Sequence, residues 1–367
     1  MKTLKCIFKI LSLAVLFFTI TFSYLLADGY PPTIVFGLYG TNTTYAQKGS
    51  RPETLGGIEA SGLLGWRTPS FNGGYFSLNS SISVFYYFFG IEELDDFENT
   101  SIEIAIPLEN NRIKIGGGVD SSFAGTGNYS EYLRPYWEAG YYIKRDRKKV
   151  QPLFIYRGYY LNQPNYYEDS IFHEGELGME YSPSIWRGYK ISLKGGVESF
   201  FEYPVYDSKG NITGNKRNDY SVDINLEVNG LLGYFSDYSI NTTISLLSSN
   251  ANRYVSTPGY LDENSESKLT ILVEGEIGWS PNRRINLQAS PYIGYEPYFG
   301  RDALNEQGNP TGETLKIFTA GSSFRADYTL NNNFFLVIKG TGAVKRANDP
   351  RESGWSLNLS GGIEYAF

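Results

Sequence analysis

Chemistry in this chain would have to be done with carboxylates, amines and hydroxyls, because little else is present. There is one histidine, His173, and one cysteine, Cys6. A nucleophilic hydrolase would need that histidine as its base, beside a spaced serine. His173 instead shares a face, by alternation, with Leu177 and Met179, and no serine is spaced to partner it. Asp95 and Asp96 are adjacent acids in a loop-like stretch, the ordinary pattern of solvated carboxylates. Asp262, Glu263 and Glu266 lack the ligand spacing and the glycine of a calcium loop. The glycine runs Gly116–Gly118 and Gly125–Gly127 open no helix and so are not phosphate cradles; bends or close strand contacts suit them better. These residues predict no enzyme, no cofactor and no metal site.

The informative charges lie elsewhere, spaced by two along alternating segments. One group is Glu138, Arg157, Glu174, Glu176, Glu180, Lys190, Lys194 and Glu198. A second is Asp223, Glu227, Glu274, Glu276, Arg325 and Lys339. All fall on the polar face of their segments. Facing lipid is excluded for so many, since a single Arg or Lys at the bilayer midplane costs roughly 2–4 kcal/mol. The expectation is an aqueous or tightly paired interior lined by these fourteen side chains. Turn symmetry adds pairings. If 182–188 turns about Ile185, Glu176 opposes Lys194 and Glu180 opposes Lys190. If Arg147 and Lys148 form a two-residue turn, Glu138 opposes Arg157. Acids outnumber bases, so the interior is expected to be net acidic and mildly favourable to cations.

Such residues need strands to hold them. Alternation of period two runs through most of the chain: Val222, Ile224, Leu226 and Val228 interleave with Asp223, Asn225, Glu227 and Asn229. About sixteen segments of this kind can be counted, or fourteen if the first and the short one at 100–108 are discounted. Short connections such as 109–111, 233–237 and 330–333 alternate with longer ones such as 204–218, 250–267 and 300–313. An even count of strands, with turns at one end and loops at the other, predicts an all-β, antiparallel up-and-down transmembrane β-barrel with short periplasmic turns and longer outer loops. Closure follows from the solvent, because hydrocarbon offers no partner for an unpaired backbone edge. The 31 Tyr, 23 Phe and 40 Gly suit that architecture. Tyr159, Tyr160, Phe201 and Phe299 fall near the outer ends of their segments, where an aromatic girdle is expected.

Residues 1–27 read as a signal peptide, with Lys2, Lys5 and Lys9 before an apolar core, leaving 28–367 as one barrel domain. Removing these three lysines takes the net charge from −7 to −10, which gives no electrostatic case for nucleic acid.

The alternating strands, the leader and a final segment ending Tyr365-Ala366-Phe367 together resemble bacterial outer-membrane β-barrel proteins, over the whole mature chain. The resemblance implies residence in the outer membrane, contact with its lipid, and an assembly signal at Tyr365 and Phe367 read by the barrel assembly machinery. A homo-oligomer is compatible with it. General porins are similar in strand count, but the third long connection here, 124–130, is too short for their inward-folded loop. The implied function is a porin-like passive channel for small hydrophilic solutes; the alternative is a surface-interaction barrel acting through 204–218, 250–267 and 300–313.

Overall fold

The computed structural model describes residues 33–48, 50–68, 75–89, 94–108, 111–124, 132–143, 151–162, 169–184, 186–207, 209–255 and 260–366. Residues 1–27, expected as a leader, the expected turn at Arg147 and Lys148, Ile185 and Phe367 lie outside them. The wall begins with β1 (Thr33–Gln47), β2 (Glu53–Arg67), β3 (Tyr75–Phe89), β4 (Leu94–Leu108), β5 (Asn111–Ala124) and β6 (Tyr132–Ile143). It continues through β7 (Gln151–Leu161), β8 (Ser170–Ser184), β9 (Arg187–Tyr206), β10 (Ile212–Gly233) and β11 (Ser236–Ser249). A small hairpin, β12 (Arg253–Val255) with β13 (Tyr260–Asp262), stands outside the wall. The last members are β14 (Lys268–Asn282), β15 (Ile285–Leu304), β16 (Pro310–Thr329), β17 (Phe334–Ala347) and β18 (Gly354–Ala366). Each wall strand pairs antiparallel with its neighbours in sequence, β11 with β14 across the hairpin, and β18 returns to β1 from Val35 opposite Ala366 to Gln47 opposite Gly354. The result is a closed sixteen-strand cylinder with no free edge.

Tight turns close one end: Leu108 faces Asn111, Ser184 faces Arg187 and Asn282 faces Ile285. At the other end the sequence expectation needs correcting. Segments 204–218 and 300–313 are not open loops but mostly paired strand, with Tyr206 opposite Ile212 and Leu304 opposite Pro310. Their prolines and glycines have local roles: register slips follow Pro204 and Pro297, while Gly210 and Gly308 turn the chain at φ of 79° and 84°. β4 likewise starts at Leu94, six residues before the expected 100.

The two faces of the wall differ as the alternation requires. One carries exposed Leu38, Phe154, Leu177, Leu193, Ile338 and Ile363. The other carries charged side chains, and its bonds identify it as concave. Arg325 on β16 reaches Glu364 on β18 at 2.8 Å, skipping β17, and the Tyr159 hydroxyl on β7 reaches Glu198 on β9 at 3.1 Å, skipping β8. Second-neighbour strands stand roughly 10 Å apart, so such bonds need side chains that converge, as they do only inside a cylinder. A belt of exposed Leu, Ile and Phe on the convex side is a surface for hydrocarbon rather than water.

Candidate functional site: the charged interior

Three clusters of side chains meet inside the cylinder. On β6 to β9, the Arg157 guanidinium bonds Glu138 at 2.6 Å, Glu174 at 3.1 Å and Glu176 at 2.7 Å. Glu176 is only 1% exposed and also takes Lys190 at 3.2 Å. The register does put Glu138 opposite Arg157, Glu176 opposite Lys194 and Glu180 opposite Lys190. Glu138 and Arg157 do pair, whereas Lys190 reaches diagonally to Glu176 and, among the described residues, leaves Glu180 without an ion pair. Two cations on one buried carboxylate offset its lost hydration better than one would. Glu198 accepts from Ser170 at 2.7 Å as well as from Tyr159.

A second cluster spans the closure seam. The buried Glu364 accepts from the Tyr39 hydroxyl and from Arg325, with Lys339 at 3.5 Å. Lys339 also stands 3.9 Å above the Tyr39 ring, and Arg325 is tied to Asp327 at 2.8 Å. The third cluster joins Glu103 to the Tyr75 hydroxyl and to Lys114 at 3.3 Å, with Arg67 stacked 3.5 Å over the Tyr75 ring.

The remaining wall is different. On β10, β14 and β15, Glu227 takes Asn229 at 2.7 Å, Glu276 takes Gln288 at 2.6 Å and Glu274 takes Asn241 at 3.5 Å. Among the described residues, no ion pair holds Asp223, Glu227, Glu274 or Glu276, nor Lys194, which stands opposite Asp223. Two cavities open on the interior. One of about 680 Å³ lies along β3 to β9; the other, about 370 Å³, lies beside the seam cluster.

Sequence reasoning missed Tyr39, Tyr75 and Lys268. Lys268 pairs with Glu296 at 2.5 Å, and each of the three shares parity with polar neighbours that would have revealed it. Tyr159, expected in an outer girdle, points inward, since it bonds Glu198 across β8. His173 sits on the convex face, its Nδ1 2.7 Å from the Tyr156 hydroxyl and its ring beside Trp137. Asp262 is held by Arg253, and among the described residues no group of three His, Cys, Asp or Glu is placed to hold a metal.

At the loop end the connections bind one another. Glu352 takes Arg301 at 2.5 Å and Lys345 at 3.0 Å, and Asp349 takes the Leu304 N–H at 3.2 Å and Arg351. Beneath them Tyr298, Leu315 and Ile317 form a small apolar core. Burial by itself would raise the Asp349 and Glu352 carboxyls. The Arg351 and Leu304 hydrogen bonds to Asp349, and the Lys345 and Arg301 charges at Glu352, outweigh it and hold both below the usual range. Asp262 is raised, because burial there exceeds the pull of Arg253.

No protein-family model and no curated protein matches the chain. Solved structures do. OccAB1 of Acinetobacter baumannii aligns at TM-score 0.55 and 8% identity, over 92% of this chain and 97% of its own. OmpT, an outer membrane protein of Vibrio cholerae, aligns at TM-score 0.45 and 9% identity, over 93% and 99%. OccD3 of Pseudomonas aeruginosa aligns at 0.45 and 11%, over 92% and 91%. The fold is that of bacterial outer-membrane β-barrels.

Proposed function

We propose that this chain is a passive channel of the bacterial outer membrane, conducting small hydrophilic solutes through a charged, net acidic lumen. The observation that carries the reading is a sixteen-strand cylinder whose concave face holds ionic and amide side chains around open cavities. Barrels of about eight strands are filled by side chains, whereas sixteen leave an aqueous passage. Glu138, Arg157, Glu174, Glu176, Glu180, Lys190, Lys194 and Glu198 would line one wall; Asp223, Glu227, Glu274 and Glu276 another; Arg325 and Lys339 a third. There is no chemical step. The leader would direct export, and Tyr365 and Phe367 would be read by the assembly machinery. Self-association in the lipid plane fits the same reading.

Purified protein in planar bilayers should give stepwise conductance, and in a KCl gradient its reversal potential should favour cations. The unpaired acids on β10 and β14 are the reason. Absence of steps would remove the channel reading; anion preference would remove the acidic-lumen part of it.

A second reading, a surface-interaction barrel, is favoured by the mutual bonding of the loop-end connections, which fixes a surface at that end. A non-conducting barrel that loses ligand on deletion of 250–267 would select it.

A further inference from the structure

The larger interior cavity is built around rings as well as charges. Tyr136 of β6 lies along the wall above Gly118 of β5, where an added Cβ would come 2.7 Å from its hydroxyl oxygen and 2.8 Å from Cζ. Phe172 of β8 leans over Gly196 of β9, where a Cβ would meet ring Cε2 at 3.0 Å. Phe172 also stacks on Tyr159 of β7, with centroids 4.9 Å apart and planes 21° from parallel. The two glycines therefore clear space in which aromatic side chains lie against the wall. All three rings line the cavity and are half-buried, so part of each is open to it.

The polar rim is balanced. The charged side chains that line the cavity are equal in number, with Glu103, Glu138 and Glu174 against Arg134, Arg157 and Lys194; Arg134 is further bonded to Asp120, and Arg157 to Glu138 and Glu174. What remains uncommitted among the described residues is the Lys194 ammonium, together with the amides of Asn79 and Asn99 on the facing side of the cavity. Apolar ring surface, neutralised ion pairs and spare hydrogen-bonding groups suit a solute with one apolar face and a rim of hydroxyls. A small inorganic ion gains nothing from the rings, and a charged solute meets no net opposite charge.

We propose that this cavity is a subsite for neutral polyhydroxylated solutes, of the size of one to three hexose units. The C–H face of a pyranose would rest on Tyr136 and Phe172, with Tyr159 backing Phe172 and itself covered by the Arg134 guanidinium 5.5 Å from its centroid, and the hydroxyls would bond Lys194, Asn79 and the ion-pair oxygens. A volume of about 680 Å³ falls within the ordinary range of small-molecule sites, about 300–1,000 Å³. The proposal deepens the channel reading and rests on it for transport, but binding can be read without conductance.

The test titrates detergent-purified mature protein with maltotriose by calorimetry and, separately, adds maltotriose to open channels in bilayers. Saturable binding is expected, together with transient current block. Phe172→Leu, which keeps apolar bulk and removes the ring, should weaken binding roughly five- to tenfold. Phe172→Tyr, which keeps the ring, should retain it. A conducting channel with neither calorimetric binding nor block would overturn the subsite and leave the channel reading standing. Binding in a barrel that never conducts would support the subsite and overturn the channel. Glucuronate binding more tightly than maltotriose, with loss on Lys194→Gln and none on Phe172→Leu, would overturn the proposal in favour of an anion site.

Discussion

Arg157 is a centre of the interior, because its guanidinium touches three carboxylates on two strands. Most such pairs are partly open to the lumen and contribute about 0–1 kcal/mol. Glu176, 1% exposed, is drier than the buried Asp219 and Glu364, and it cannot be left charged with a single lysine at no cost. Arg157→Leu should therefore lower stability by about 3 kcal/mol, nearer the figure for a broken buried pair than for a surface one. Adding Glu176→Leu should recover much of the loss. Urea unfolding of the three proteins in matched detergent checks this, and a single-variant effect under about 1 kcal/mol would rank the pair with surface bridges. The opposition of Glu138 and Arg157 was legible from parity and turn length. The diagonal choice of Lys190 was not, because it depends on which carboxylate is dry, and dryness is a property of the assembled wall.

Glycines separate strand positions that must lack a side chain from those that need not. At Gly118 a Cβ would sit 2.1 Å from the Thr100 carbonyl oxygen on β4, a backbone atom that moves only with its strand. At Gly175 of β8 nothing lies within 4 Å. Gly118→Ala should impair folding markedly, whereas Gly175→Ala should stay within about 0.5 kcal/mol of the parent. The heat-modifiable folded fraction on gels distinguishes them, and equal behaviour would deny the close approach at Gly118. The sequence showed a glycine run without showing which member mattered, since the contact comes from another strand. The same limit explains segments 204–218 and 300–313. Their Pro and Gly content reads as loop, yet slips in register absorb those residues within paired hairpins.

The loop-end connections form a unit whose strength depends on acid. Asp349 and Glu352 have lowered carboxyls, so their contribution is complete above the unfolded range near pH 4 and is lost as pH falls through their folded values. Asp262 has the opposite sign: its raised carboxyl takes a proton more readily in the folded state, so acid favours the fold at that site and offsets part of the loss. With two groups against one, protection factors against hydrogen exchange in the 300–313 and 347–353 segments, taken relative to the intrinsic rate at each pH, should fall below about pH 4. Asp349→Asn should flatten that fall, and protection factors unchanged from pH 6 to 3 would contradict the assignment. At the scale of the molecule, closure, strand number and the inside–outside division were legible, because period two and the demands of hydrocarbon leave few alternatives. How the outer connections bond to one another was not, because those pairs join residues far apart in sequence with no periodicity to announce them.

The seam cluster has a further consequence, in the order of events. Tyr39 and Glu364 are 325 residues apart, and neither Arg325 nor Lys339 exists to help them until most of the chain has been made. Every other pairing in the wall joins strands that are neighbours in the chain, or β11 and β14 across the small hairpin; β1 alone has a second edge that stays uncovered until β18 reaches it. Through that interval its backbone donors and acceptors on that side stay unpaired, and its buried tyrosine has no acceptor from the seam. Until β18 meets β1 the sheet is an open ribbon with two unsatisfied margins, and the bond from Tyr39 to Glu364 is the latch across the seam that removes both.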